Sequence, residues 1–132
     1  MGVMAMGVTG IGGLCFRAND PAALNEWYRT HLHVGAGCNA DATGPVDAWS
    51  WTTLGGPTVF APFKADTDYF PADKQFMLNL RVSDLESLLA TLRASGIAVE
   101  TKAEWDSPGV GKFARIQDPE GNPIELWEPP AS

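Results

Sequence analysis

One carboxylate stands inside an apolar strand. In "DPEGNPIELWEPP" Glu125 lies between Ile124 and Leu126, with Trp127 beyond. A charged side chain in such a strand is costly unless something pairs with it. Glu125 is therefore a metal ligand, a catalytic base, one half of an ion pair, or a solvated group on an outward face. Arg17 and Arg81 are the candidate cations, and an ion pair with either is favoured over a base.

Other residue types that could do chemistry carry weaker patterns. His31 and His33 form a His-x-His, but two residues apart on a helix they point about 200° from each other and cannot share an ion. Histidines near a helix C-terminus that favour its dipole account for them better. Asp66, Asp68 and Asp73 lack the spacing and the closing Glu of a calcium loop. Cys15 reads as a small buried apolar residue, since a nucleophile would want a neighbouring base. Trp49 and Trp51, two apart on a strand, share one face; core packing and a ligand wall remain equal readings for them.

The elements that must position these groups occur twice. Residues 12–35 and 76–96 each run from an alternating strand into Asn-Asp or Ser-Asp, then an amphipathic helix, then Gly. Asp20 and Asp84 fall where a helix N-cap is expected. Pro21 suits the first helical position, and Ser83 with Glu86 offers an alternative capping box. Leu24, Trp27, Tyr28 and Leu32 mark one helix face, Leu85, Leu88, Leu89 and Leu92 the other, and Gly96 closes the second helix. Strands are expected at 48–54 and 58–63 in the first half, and at 97–106, 112–117 and 123–129 in the second. Residues 118–122, Asp-Pro-Glu-Gly-Asn, form a hairpin link. The chain thus reads as α+β: a flexible N-terminus over 1–9, then one domain over 10–130. Within it, a βαβββ module (10–63), a linker (64–75) and a second βαβββ module (76–130) follow in tandem, helices outside.

Bulk properties remove several function classes. At 132 residues the chain fits one domain, which buries roughly two thirds of its unfolded surface. Sixteen acidic against nine basic residues give a formal charge of -7, which opposes both nucleic-acid and anionic-membrane binding. No 18-residue apolar run spans a membrane, and no basic, apolar leader begins the chain. Position 6 is Met6, where the myristoylation pattern needs Ser or Thr. Cys15 and Cys38 are expected to be reduced thiols in the cytosol.

The strand-to-helix junction "VSDLESLLATLRASG" and the closing "DPEGNPIELWEP" resemble the vicinal oxygen chelate superfamily, which includes glyoxalase I, bleomycin-resistance and extradiol dioxygenase proteins. The resemblance covers residues 10–130. It implies an open barrel of two modules around one cavity, and a homodimer. It also implies four metal-ligand positions, which here hold Gly13, Val59 or Phe60, Met77 and Glu125. Three of the four cannot coordinate a hard or borderline divalent ion, whereas a catalytic centre keeps three protein ligands. No metal or other cofactor is therefore expected. With Gly13 facing inward, as the resemblance implies, Cys15 and Arg17 share the cavity side of the first strand. Met77, Asn79 and Arg81 share that of its counterpart, and Glu125 and Trp127 that of the last. With Trp49 and Trp51 these form an expected Trp-lined cleft for a small apolar or aromatic molecule. The alternative is a lyase, isomerase or dioxygenase-type enzyme using Glu125 as base or within an unconventional metal site. A third reading is a structural module with a vestigial pocket.

Overall fold

The computed structural model describes residues 7–35, 44–46 and 50–131. Helix α1, Pro21–Leu32, starts as its sequence dictates: the Asp20 carboxylate accepts from the Ala23 amide at 3.1 Å, and Pro21 opens the first turn. It ends on His33 in the left-handed region, φ 55°. The His33 and Val34 amides return to the Arg29 and Tyr28 carbonyls, satisfying groups the helix would otherwise leave open. Helix α2, Leu85–Ala94, is capped by Asp84, which accepts from the amide and hydroxyl of Ser87 at 3.2 and 2.8 Å. The Ser83–Glu86 capping box is not used; the Leu85 amide instead donates to Glu128 at 2.8 Å. Gly96, at φ +82°, takes the left-handed position past the helix.

Among the described residues three strands form one sheet in the order β1-β3-β2: β1 Leu78–Arg81, β2 Lys112–Gln117 and β3 Pro123–Glu128. β1 runs parallel to β3, and β2 pairs antiparallel with it. Leu24 and Tyr28 of α1 join Leu85, Leu89 and Leu92 of α2 in one core against Ala114, Ile116, Ile124 and Leu126. Leu92, Ile124 and Leu126 have no accessible surface, and burying each stabilises the fold by roughly 1.5–3 kcal/mol. Alternation then sends Asn79, Glu125 and Arg115 to the sheet's other face.

Two turns hold the hairpin. At residues 118–122 Gly121 supplies φ +82°, and the buried Asp118 carboxylate accepts from the amides of Glu120 and Asn122 and from the Asn122 side chain. Asp118 also accepts from the Tyr28 hydroxyl at 2.7 Å, while Glu120 accepts from the Asn19 and Asp20 amides. The helix of the first half is thereby fastened to a turn of the second. Near the other end Gly111 lies at φ +126°, where an added Cβ would fall 2.1 Å from the Glu128 carbonyl oxygen.

The structure departs from the expected strands in two places. Of the predicted strand at 97–106 only Glu100 pairs, with Arg115, before a 3-10 turn at Ala103–Trp105. There the Asp106 carboxylate, not a backbone carbonyl, accepts from the Phe113 amide, so the ladder stops. In the first half, 12–17, 50–54 and 58–63 run outside any strand, and residues 47–49 lie outside the described residues. Alternating residues make a strand only where a neighbouring strand supplies the ladder. Among the described residues these segments have no such neighbour. Among the described residues the sheet is the three-stranded one of the second half, and the expected tandem modules and open barrel around one cavity are not seen.

Candidate functional site

Register alone assembles a polar row across the sheet. Asn79 is the β1 partner of Glu125, and Arg115 is its β2 partner. Glu125 is 8 % exposed and both its oxygens are engaged: Oε1 accepts from Asn79 Nδ2 at 2.7 Å, and Oε2 from the Tyr69 hydroxyl at 2.5 Å. Tyr69 comes from the segment expected as a linker, and its arrival turns that segment into part of the site. Burial, then the bond to Glu125, pushes its phenol up to about 12, so the phenol stays a donor to the carboxylate.

Arg115 binds this tyrosine a second way. Its guanidinium carbon lies 4.9 Å from the Tyr69 ring centre and 5.4 Å from that of Trp105, and Nη2 donates to the Tyr69 carbonyl at 2.9 Å. Among the described residues its buried Nε has no hydrogen-bond partner. Phe63 stacks on Tyr69 with centroids 5.5 Å apart. Lys102 sits 5.3 Å from the Trp105 ring centre and 3.9 Å from the Glu100 carboxylate. Between the 66–72 segment and the 100–105 segment opens a cleft of about 580 Å3, lined by Tyr69, Phe70, Glu100, Lys102, Trp105 and Arg115.

The residues singled out from sequence are only partly brought together here. Asn79 and Glu125 meet. Arg81 does not reach Glu125: it donates to the carbonyls of Pro57 and Leu54 at 2.5 and 2.7 Å, passing so close to Gly56 that a Cβ there would lie 2.8 Å from its Nε. Arg17 and Cys15 are exposed on the unpaired first segment, where alternation fixes no inward side. The expected ion pair of Glu125 with Arg17 or Arg81 is thus replaced by hydrogen bonds from a phenol and an amide. Met77 is half-buried just before β1. Trp51 is 45 % exposed, and Trp49 lies outside the described residues. Trp127 is buried, stacked on Phe113 with its indole N–H given to the Val110 carbonyl at 2.8 Å, which makes it a packing residue. His31 packs its ring against Trp27 at 5.4 Å.

None of the six residues named as lining the cleft is singled out from the sequence. Arg115 was within reach, because a hairpin closing over residues 118–122 sets it opposite Glu125 by counting outward from the turn. Trp105 was hidden in a segment read as a strand. For Tyr69 nothing in the spacing of a Pro- and Asp-rich connection pointed back to the sheet.

The glyoxalase-like domain family model matches residues 13–127. A solved structure of TnmS3, an antibiotic binding protein from Streptomyces sp. CB03234, is 24 % identical over 94 % of this chain and 98 % of its own, with a TM-score of 0.54, a likeness of fold. A glyoxalase/bleomycin resistance protein from the same organism is 33 % identical over 46 % of this chain and 54 % of its own, with a TM-score of 0.32, an overlap too partial to build on. A search of curated protein sequences finds no match. With the family matched over nearly its whole length, the chain belongs to the glyoxalase-like domain family, within the vicinal oxygen chelate superfamily.

Proposed function

We propose that the protein binds a small apolar or aromatic molecule on the face of the sheet that carries Asn79, Glu125 and Arg115, without a metal. The cleft beside that row carries the reading: Tyr69, Phe70 and Trp105 line it together with charged groups, among them Glu100, Lys102 and Arg115. The family's metal does not fit the residues present. Gly13, Met77 and the 59–60 pair offer no suitable ligand atom. Among the described residues no three His, Cys, Asp or Glu side chains are grouped to hold an ion. A wall of aromatic rings with Arg115 laid across two of them favours planar ligands. Antibiotic binding in TnmS3, a protein of similar fold, makes planar aromatic antibiotics the first ligands to try.

The same reading includes a homodimer in the cytosol whose two modules complete an open barrel. Ile11, Leu14, Phe16, Leu54, Val59, Phe60 and Phe63 are exposed on the unpaired segments of the first half. Exposed apolar side chains of this kind support association, in which the same segments of a second copy would pair with them. Among the described residues no helix is long and apolar enough to cross a membrane.

The deciding experiment is a tryptophan-fluorescence titration with planar aromatic antibiotics, run beside elemental analysis of the untagged protein. Saturable quenching with no stoichiometric metal supports the reading. A stoichiometric ion that Glu125→Gln loses would favour the enzyme alternative with an unconventional metal site. Sedimentation as a monomer at all concentrations would remove the dimer.

A further inference from the structure

Resting on that reading, we infer that Tyr69 is an internal occupant of the ligand site, and that the ligand is a planar hydroxyarene that takes the place of its phenol. What surrounds Tyr69 is a complete recognition set for such a ring. Glu125 accepts its hydroxyl proton at 2.5 Å, with Asn79 holding the other carboxylate oxygen at 2.7 Å. Phe63 stacks on it at 5.5 Å, and Trp105 meets it edge-on at 6.3 Å. The Arg115 guanidinium lies 4.9 Å from its centre. A carboxylate fixed by an amide, an aromatic wall and a cation near the ring recognise a phenol and discriminate against a plain arene, because an arene leaves the buried carboxylate one donor short.

The occupant is also built to leave. Tyr69 is only half-buried, beside an open cleft. Among the described residues, the backbone–backbone bonds of the 64–75 segment carrying it are short-range, Thr67 to Lys64 and Lys74 to Pro71. Beyond ring contacts, its tie to the sheet is Tyr69 itself, through the hydroxyl and through the carbonyl that accepts from Arg115. Lifting this residue uncovers Glu125 and Asn79 and frees an arginine whose Nε has no partner among the described residues. The Tyr69-in state thus competes with ligand, lowering apparent affinity by the fraction of molecules in which the site is closed.

Equilibrium dialysis with β-naphthol and with naphthalene tests this on the full chain and three variants. Tyr69→Ala binds β-naphthol about tenfold more tightly than the unaltered protein, and Tyr69→Phe, which keeps the ring but not the bond to Glu125, gains about threefold. The preference for β-naphthol over naphthalene persists in both and disappears in Glu125→Leu. Equal or weaker β-naphthol binding by Tyr69→Ala, with the unaltered protein still binding, makes Tyr69 a wall rather than an occupant. That overturns the inference and leaves the proposed function standing. Binding of neither arene by any form overturns both. Should Tyr69→Ala not melt cooperatively, Tyr69→Phe decides alone by the same criterion.

Discussion

Two tyrosine–carboxylate pairs sit on the same hairpin, one at its turn and one midway along β3. Tyr28 donates to Asp118 at 2.7 Å, and Tyr69 donates to Glu125 at 2.5 Å. Both carboxylates are buried, at 4 % and 8 % exposure. Their surroundings differ in kind. Asp118 also accepts two backbone amides of its own turn, and Tyr28 is a buried core residue of α1. Glu125 receives side chains only, from a half-exposed tyrosine and an asparagine, beside an open cleft and a partly unsatisfied arginine. Backbone donors cannot leave without unfolding the turn, whereas side-chain donors can be exchanged for those of a ligand. The same chemical pair is thus a rivet in one place and a replaceable contact in the other.

Removing the rivet is expected to do the most damage. Asp118→Ala strands the Tyr28 hydroxyl and the turn amides together, and urea unfolding should register a loss of about 3 kcal/mol or more. Next in size, Tyr28→Phe removes one donor from a buried carboxylate and should cost about 2 kcal/mol by the same assay. Tyr69→Phe should cost about 1 kcal/mol or less, because water from the cleft can replace the phenol at Glu125. A cost equal to that of Tyr28→Phe would erase the distinction between the pairs.

The smallest effect is in the alkaline limb of the stability curve. Burial and the Glu125 bond raise Tyr69 from 10.0 to about 12. Its contribution is full below pH 10, where folded and unfolded forms are both protonated, and is lost as pH rises through about 12. Tyr28 is raised in the same direction, by burial first and Asp118 second. Urea midpoints measured across that interval should fall less steeply in Tyr69→Phe than in the unaltered protein, the remaining slope belonging to Tyr28.

How much of this was legible in the sequence follows from the range of each interaction. Caps at Asp20 and Asp84, the apolar faces of both helices, and the hairpin through 118–122 depend on neighbours a few residues away, and each stands where the spacing puts it. Membership in the family was legible in the strand-to-helix junction and the closing hairpin. The first-half strands were not secured by their alternation, because a ladder needs a partner that local pattern cannot supply. At the site, Asn79 and Arg115 follow from register. Tyr69 does not, since it reaches Glu125 across 56 residues through a connection without periodicity. Alternation and charge make Arg81 a candidate partner for the carboxylate, but the Pro57 and Leu54 carbonyls accept from it instead.

The fastening of α1 to the far turn has a consequence for the order in which the molecule comes into being. Glu120 caps amides 101 and 100 residues earlier, and Asp118 receives a hydroxyl 90 residues earlier. Closing so long a loop is slow compared with forming the hairpin or α2 from local contacts. On the ribosome the first helix emerges long before its clasp exists, and it must wait, uncapped from outside, until residues 118–120 have been made.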